Sequence, residues 1–210
     1  MYIPRHFQGP EEPTVLVDFM QRHSFATLVT AASGLPVATQ LPFTARLSAA
    51  GQVVLTAHLA RANPQWRELT AGPALVIFSE PHAYVSPRHY EQTQNVPTWN
   101  YIAVHAYGSA QLLETESARR QVLEDLIQAN EPEYLPQWQA LAPDYQQRML
   151  GAIVAFELTA TDLQAKYKLS QNRTPAEQRA LAAAFAHSGN ASARQLADYM
   201  PPAHESTAPA

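Results

Sequence analysis

Two-residue alternation dominates the first half of the chain, and helical spacing takes over in the second. Residues 52–58 (QVVLTAH) set Val53, Leu55 and Ala57 on one parity and Val54, Thr56 and His58 on the other, the period of an extended strand. Phe25–Thr30 (FATLVT) is rich in β-favouring residues and leads to a turn at Ser33-Gly34. Residues 37–45 continue with Pro42 inside them. That predicts a sheet edge or a bulge, because proline has no amide hydrogen to give a ladder. Residues 74–79 (ALVIFS) are apolar almost throughout, the pattern of a strand covered on both faces. A short extended piece, HAYVS, lies between Pro81 and Pro87, and a polar loop spans 92–97. Thr98–Leu113 reads as a long strand bent near Gly108. Strands at this spacing predict an antiparallel barrel or sandwich rather than βαβ units.

Asn63 and Pro64 suit the cap and first position of a short helix over 64–69. In Glu116–Asn130, Val122, Leu123, Leu126 and Ile127 share a face opposite Arg119, Arg120, Glu124 and Asp125. Residues 133–149 read as loop and helix interrupted by Pro136 and Pro143, and 153–159 (IVAFELT) return as a strand. Thr174-Pro175-Ala176-Glu177 is a capping box, and its helix stops near His187. A last short helix reaches Met200, and residues 201–210 read as a disordered tail.

With 46% hydrophobic and 15% charged residues over 210 positions, the chain is expected to bury a sizeable core. A net charge of −4 gives no general pull toward nucleic acid or an anionic membrane. The absence of cysteine excludes disulfides, thiolate metal sites and thiol nucleophiles. The opening MYIPRHFQGPEEP lacks the basic flank and apolar run of a secretory signal, and no stretch nears the roughly 18 apolar residues of a membrane span. These features predict a cytoplasmic protein. The glycines form neither a dinucleotide fingerprint nor a P-loop, and no GxSxG or HExxH occurs. His82 and His89 lie between prolines in EPHAYVSPRHY, so no metal site is expected there, and Arg88 and His89 read as dimer or ligand contacts. No catalytic residue is nominated.

Three segments carry candidate binding chemistry. In HLARAN, His58 and Arg61 precede the helix capped by Asn63, and helix N-termini offer unpaired amides to phosphate. The same residues also make an ordinary capped helix with a surface arginine. In VPTWNYIAVHAYG, Trp99, Tyr101, His105 and Tyr107 share a parity that Asn100 does not; such aromatics form core, interface or the wall of a planar cofactor. The chain has only two lysines, Lys166 and Lys168, both in AKYKLSQNR beside Arg173, which reads as a solvated turn or an anion contact. The C-terminal helix pair has the outline of a helix-turn-helix. Its charges, Glu177, Arg179, Arg194 and Asp198, cancel, which favours packing over DNA binding.

Taken in order, MYIPRHF, HLARANPQW, EPHAYVSPRHY, VPTWNYIAVHAYG and KLSQNR resemble the PaiB family of FMN-binding negative transcriptional regulators, from Met1 to about Met200. The resemblance implies a mainly β fold with α elements: an FMN-binding split β-barrel with peripheral and C-terminal helices. It implies a barrel domain over 1–170, a helical extension over 171–200 packed on it, and a tail beyond. It also implies a homodimer with FMN near the subunit interface. His58, Arg61 and Asn63 would then lie near the phosphate and ribityl chain. Trp99, Asn100 and Tyr101 would lie near the ring or the partner subunit, and Lys168, Gln171 and Asn172 would close the site from the other side. His89 stands where the family is expected to carry an aromatic residue. DNA is a partner by family label that the charge does not support. An FMN-dependent oxidoreductase of flavin reductase or oxidase type is the alternative, because the flavin itself carries the redox chemistry.

Overall fold

A computed structural model describes residues 1–201, so the expected tail lies, from residue 202 onward, outside the described residues. The strands are Phe25–Thr30 (β1), Val37–Pro42 (β2), Thr44–Leu47 (β3), Val53–Ala60 (β4), Ala74–Phe78 (β5), His82–Val85 (β6), Thr98–Leu113 (β7) and Ile153–Lys168 (β8). The α-helices are Pro13–Arg22 (α1), Glu116–Asn130 (α2), Leu135–Ala140 (α3), Pro143–Gly151 (α4), Pro175–Ala186 (α5) and Ala191–Ala197 (α6). They group into two compact units. One comprises Glu11–Phe78 and His105–Leu163; the other comprises Met1–Pro10, Ser79–Val104 and the chain from Gln164 on. β7 and β8 contribute residues to both.

In the first unit the strands follow the order β2-β1-β5-β7-β8-β4-β3. β2 and β3 stand at opposite ends of this order, yet only Phe43 separates them in sequence. A single residue spans no more than ~3.6 Å, so the sheet must curl until its two edges meet. This is how the chain makes its expected barrel. Pro42 ends β2 at that seam, where the missing amide breaks no central ladder. The ring of Phe43 turns inward, 6.1 Å from both Phe78 and Phe156, and all three are buried. Gly108 has a steric reason: a Cβ there would stand 2.1 Å from the Thr159 carbonyl oxygen of β8. β8 is far longer than the strand expected over 153–159, because residues 160–168 continue it. Pro136 does not interrupt a helix; it sits in the first turn of α3, where a missing amide is tolerated. Gln146 of α4 then ties the two helices together, its amide donating to the Trp138 and Leu141 carbonyls, each at 2.9 Å.

In the second unit, β6 pairs antiparallel with the start of β7, setting Tyr84 opposite Trp99 and His82 opposite Tyr101. The N-terminal segment joins the end of β8 through a Gln8–Lys166 bridge and a 2.9 Å bond from the Gly9 amide to the Ala165 carbonyl. α5 opens with the expected capping box, in which Thr174 and Glu177 each accept from the other's backbone. Leu181, Phe185, Ala193 and Leu196 bury the inner faces of α5 and α6, as expected for packing. Ser192 fastens α6 to β6 by accepting from the His82 amide (2.7 Å) and donating to the His82 carbonyl (2.8 Å).

Candidate functional site

The nominated residues fall into two clusters, one in each unit. The first lies where β4 ends. β4 is buried from Val53 to Ala57, so both its faces are covered, and His58 is the first residue to reach a partly open position. Burial lowers the His58 pKa below the ordinary imidazole value and favours the neutral ring. Arg61 turns back across the α4–β8 junction. Its amide donates to the Ala152 carbonyl at 2.8 Å, Nε to the Gly151 carbonyl at 2.7 Å, and Nη2 to the Ile153 carbonyl at 2.9 Å. The bonds to Gly151 and Ala152 satisfy carbonyls that the end of α4 leaves open, and the bond to Ile153 fastens the start of β8. Nη1 stays uncommitted.

Asn63 caps a short 3-10 turn, Pro64–Arg67, by accepting from the Gln65 amide at 3.0 Å, and its own amide group donates to Thr39 Oγ1 at 3.0 Å. Gln65 is buried, and sequence reasoning passed over it. Its Nε2 donates to the Val37 carbonyl (3.0 Å) and lies 3.3 Å from Thr30 Oγ1, while Oε1 accepts from Thr39. Nothing in the sequence marks it, since a glutamine in a short polar helix reads as solvent-facing. Arg61 and Trp66 also line a cavity of about 180 Å³, with Leu112, Leu113, Glu114, Arg119 and Val154. Arg67 stacks over Trp66 with its guanidinium carbon 4.7 Å from the ring centroid.

The second cluster is on β6, β7 and the end of β8. Trp99 and Tyr84 are each 52% exposed, their rings 6.0 Å apart and nearly perpendicular. Asn100, of opposite parity, is wholly buried and exchanges hydrogen bonds with Ser170 Oγ at 3.0 and 3.1 Å. Ser170 adopts a left-handed backbone at φ 66°, a conformation that the paired Asn100 side chain holds in place. Lys166 and Lys168 lie on the strand, not in a solvated turn. Lys168 donates to Thr98 Oγ1 and, at 2.7 Å, to the Trp99 carbonyl. Lys166 Nζ stands 5.3 Å from the Tyr101 ring centroid. Burial, and then the neighbouring Lys166 charge, bring the Lys168 pKa below its ordinary value. Gln171 closes the turn after β8, accepting from the Leu169 amide at 2.8 Å and donating to the Tyr167 carbonyl. Asn172 is exposed. Arg173 stacks on Tyr90 at 3.8 Å and donates to Asn95 Oδ1 at 2.8 Å, which holds the loop before β7. His89 sits partly exposed in the 3-10 turn Pro87–His89.

A family model described as "Putative FMN-binding domain" matches residues 1–162. The protease synthase and sporulation protein PAI 2 of Bacillus subtilis is 37% identical over 204 residues, covering 95% of this chain and 96% of that one. An uncharacterized protein of Emericella nidulans is 29% identical over 178 residues, covering 69% and 71%. Among solved structures, a flavocytochrome from Azotobacter vinelandii superposes with a TM-score of 0.61 at 16% identity, covering 79% of this chain and 72% of its own. An FAD and heme binding protein from Mycobacterium smegmatis gives 0.58 at 22%, covering 74% and 70%. These two likenesses concern the fold, which is that of the flavin split barrels.

Proposed function

This chain belongs to the PaiB-type family of FMN-binding domains, with FMN as its cofactor, and from that membership we propose that it acts as a homodimeric, FMN-binding negative transcriptional regulator. The observation that carries the reading is the 37% identity to the sporulation protein PAI 2, which runs through the helical C-terminus as well as the barrel. In this reading residues 1–170 are the split-barrel FMN-binding domain and 171–200 its helical extension, and the protein works in the cytoplasm. Among the described residues no helix is long and apolar enough to cross a membrane.

The residues present fit the cofactor. Arg61 keeps Nη1 free beside a cavity, and a guanidinium matches a phosphate oxygen in charge and geometry. The exposed rings of Tyr84 and Trp99 stand nearly perpendicular, and either one offers an apolar face against which an isoalloxazine can pack. We assign His58, Arg61 and Asn63 to the phosphate and ribityl chain. Trp99, Tyr101, Lys168, Gln171 and Asn172 are assigned to the ring or to the partner subunit, and Asn100, wholly buried against Ser170, to holding their strand from the other face. Bound FMN supplies one- and two-electron redox chemistry; the chain's own part is to bind and orient it.

Direct DNA contact by the α5–α6 pair finds little support. Glu177 is buried and committed to its capping box, and Arg194 Nη1 donates to the Ser188 carbonyl at 2.6 Å. Regulation through a protein partner, or by the state of the flavin, agrees better with the net charge. The visible spectrum of the purified protein tests the cofactor: flavin absorption bands are expected, and a colourless protein that ignores added FMN refutes the reading. Electrophoretic shift at several salt concentrations tests DNA contact, and a salt-sensitive shift would restore it. Anaerobic mixing with NADH or NADPH separates regulator from reductase, because bleaching of the flavin band makes the protein an oxidoreductase.

A further inference from the structure

The cavity at the end of β4 contains a feature that the nominated residues do not account for. Arg119 stands in the first turn of α2, on the helix face that reads as merely polar. Its Nε is buried from solvent and has no hydrogen-bond partner. A guanidinium keeps its charge wherever it sits, so a buried, unpaired N–H on it is costly unless an acceptor arrives. Arg119 and Arg61 line the same cavity, and Arg61 has one terminal nitrogen unused.

The volume limits the occupant. About 180 Å³ is the share of roughly six waters, below the ~300 Å³ at which drug-sized molecules are held. A tetrahedral anion fits; a three-ring flavin does not. The charge agrees. Arg61 and Arg119 both line the space, Arg67 stacks on the lining residue Trp66, and the first turn of α2 brings its positive end. Among the lining residues the opposing charge is Glu114, which is exposed and forms no ion pair with either arginine, while Glu116 in the first turn of α2 pairs with Arg120 at 3.3 Å.

We propose that this cavity is a phosphate-binding site in which Arg119 is the principal cation, assisted by Arg61, which lines the same space. The group it takes is a phosphate monoester or free phosphate. Where the ester is the tail of FMN, the proposal rests on the flavin reading above and adds a residue from α2 to it. Arg61 also fastens the α4–β8 junction, whereas the Nε of Arg119 supports no other element, so Arg119 is the cleaner probe.

The test uses full-length protein as wild type, Arg119→Met and Arg119→Lys. Each is titrated with FMN, with riboflavin, which lacks the phosphate, and with inorganic phosphate against chloride at equal ionic strength. Flavin fluorescence and the melting temperature are the readouts. Arg119→Met is expected to weaken phosphate binding by about tenfold or more, the scale of one charged hydrogen bond. Arg119→Lys should fall between, since it keeps the charge and loses the fork. An equal loss for FMN with riboflavin unchanged identifies the occupant as the flavin's tail. A loss for inorganic phosphate alone identifies a separate anion site. If wild type ignores FMN but binds phosphate through Arg119, the flavin reading falls and the site stands. Phosphate and FMN affinities equal to wild type in Arg119→Met overturn the proposal, and if that variant does not fold, equal affinities in Arg119→Lys do so.

Discussion

The residues at the end of β4 and those on the β6–β7 hairpin are nominated for the same cofactor, but they are built in opposite ways. At the end of β4 the polar side chains are already committed to backbone: Asn63 caps a turn, Gln65 holds the Val37 carbonyl, and Arg61 ties down the α4–β8 junction. On the hairpin the aromatic rings stand on the open face, and the polar group that fixes the strand is Asn100, buried on the other side. In the first region one side chain serves both fold and ligand. In the second the two duties belong to neighbouring residues of opposite parity. Substitutions should therefore cost stability in the first region and leave it nearly intact in the second.

Gln65→Leu is the most severe test. It leaves the Val37 carbonyl and the Thr39 hydroxyl without their buried partner, and about 2–4 kcal/mol should be lost in urea unfolding. A near-neutral result would erase the contrast. Next comes Arg61→Ala, which should weaken FMN binding by roughly 1.5–3 kcal/mol, the range of a charged hydrogen bond. Because its two carbonyl bonds are solvent-exposed, the same change should lower stability by only about 1 kcal/mol. Calorimetry showing unchanged affinity would remove Arg61 from the site. Trp99→Ala should change stability by no more than about 0.5 kcal/mol, since half of the ring is in water. Its effect belongs to association. Light scattering should find the wild-type protein dimeric without FMN and the variant shifted toward monomer; a wild-type monomer would contradict the homodimer.

Much of this architecture is legible in the residues, and the gaps have physical causes. The capping box at Thr174, the cap at Asn63 and the full extent of Glu116–Asn130 follow from local rules and are present as expected. The second half of β8 is not legible. Asp162, Ala165 and Lys166 have low strand preference, and long-range pairing rather than propensity holds them extended. α1 escaped because Val15 and Val17 give it a β-like look, although Leu16, Phe19 and Met20 do share one buried side. Arg119 shows the limit of pattern for site residues. It lies on the polar side of an amphipathic helix, and only the fold shows that this side meets a cavity rather than bulk water.

Acid should separate the two regions by smaller effects in different pH windows. His58 is held neutral by burial, and His105, in the same unit, is lowered first by the same cause. Between their folded values and about 6.5, the unfolded chain binds more protons than the folded one. Stability therefore rises with pH across that window and is fully present only above it. In the hairpin's unit the titrating group is Glu177, lowered chiefly by accepting from the Glu91 amide at 3.0 Å. Its contribution is present above about 4.3, the ordinary carboxylate value, and is lost as pH falls through the lower folded value. Urea midpoints followed downward from about pH 7.5 should thus decline in two stages. His58→Gln should flatten the first stage and spare the second, while Glu177→Gln should lower stability near neutrality and remove the second stage only. If His58→Gln leaves the slope near pH 6 unchanged, the burial at the end of β4 does not couple to protonation, and the chemical distinction between the two regions loses its thermodynamic support.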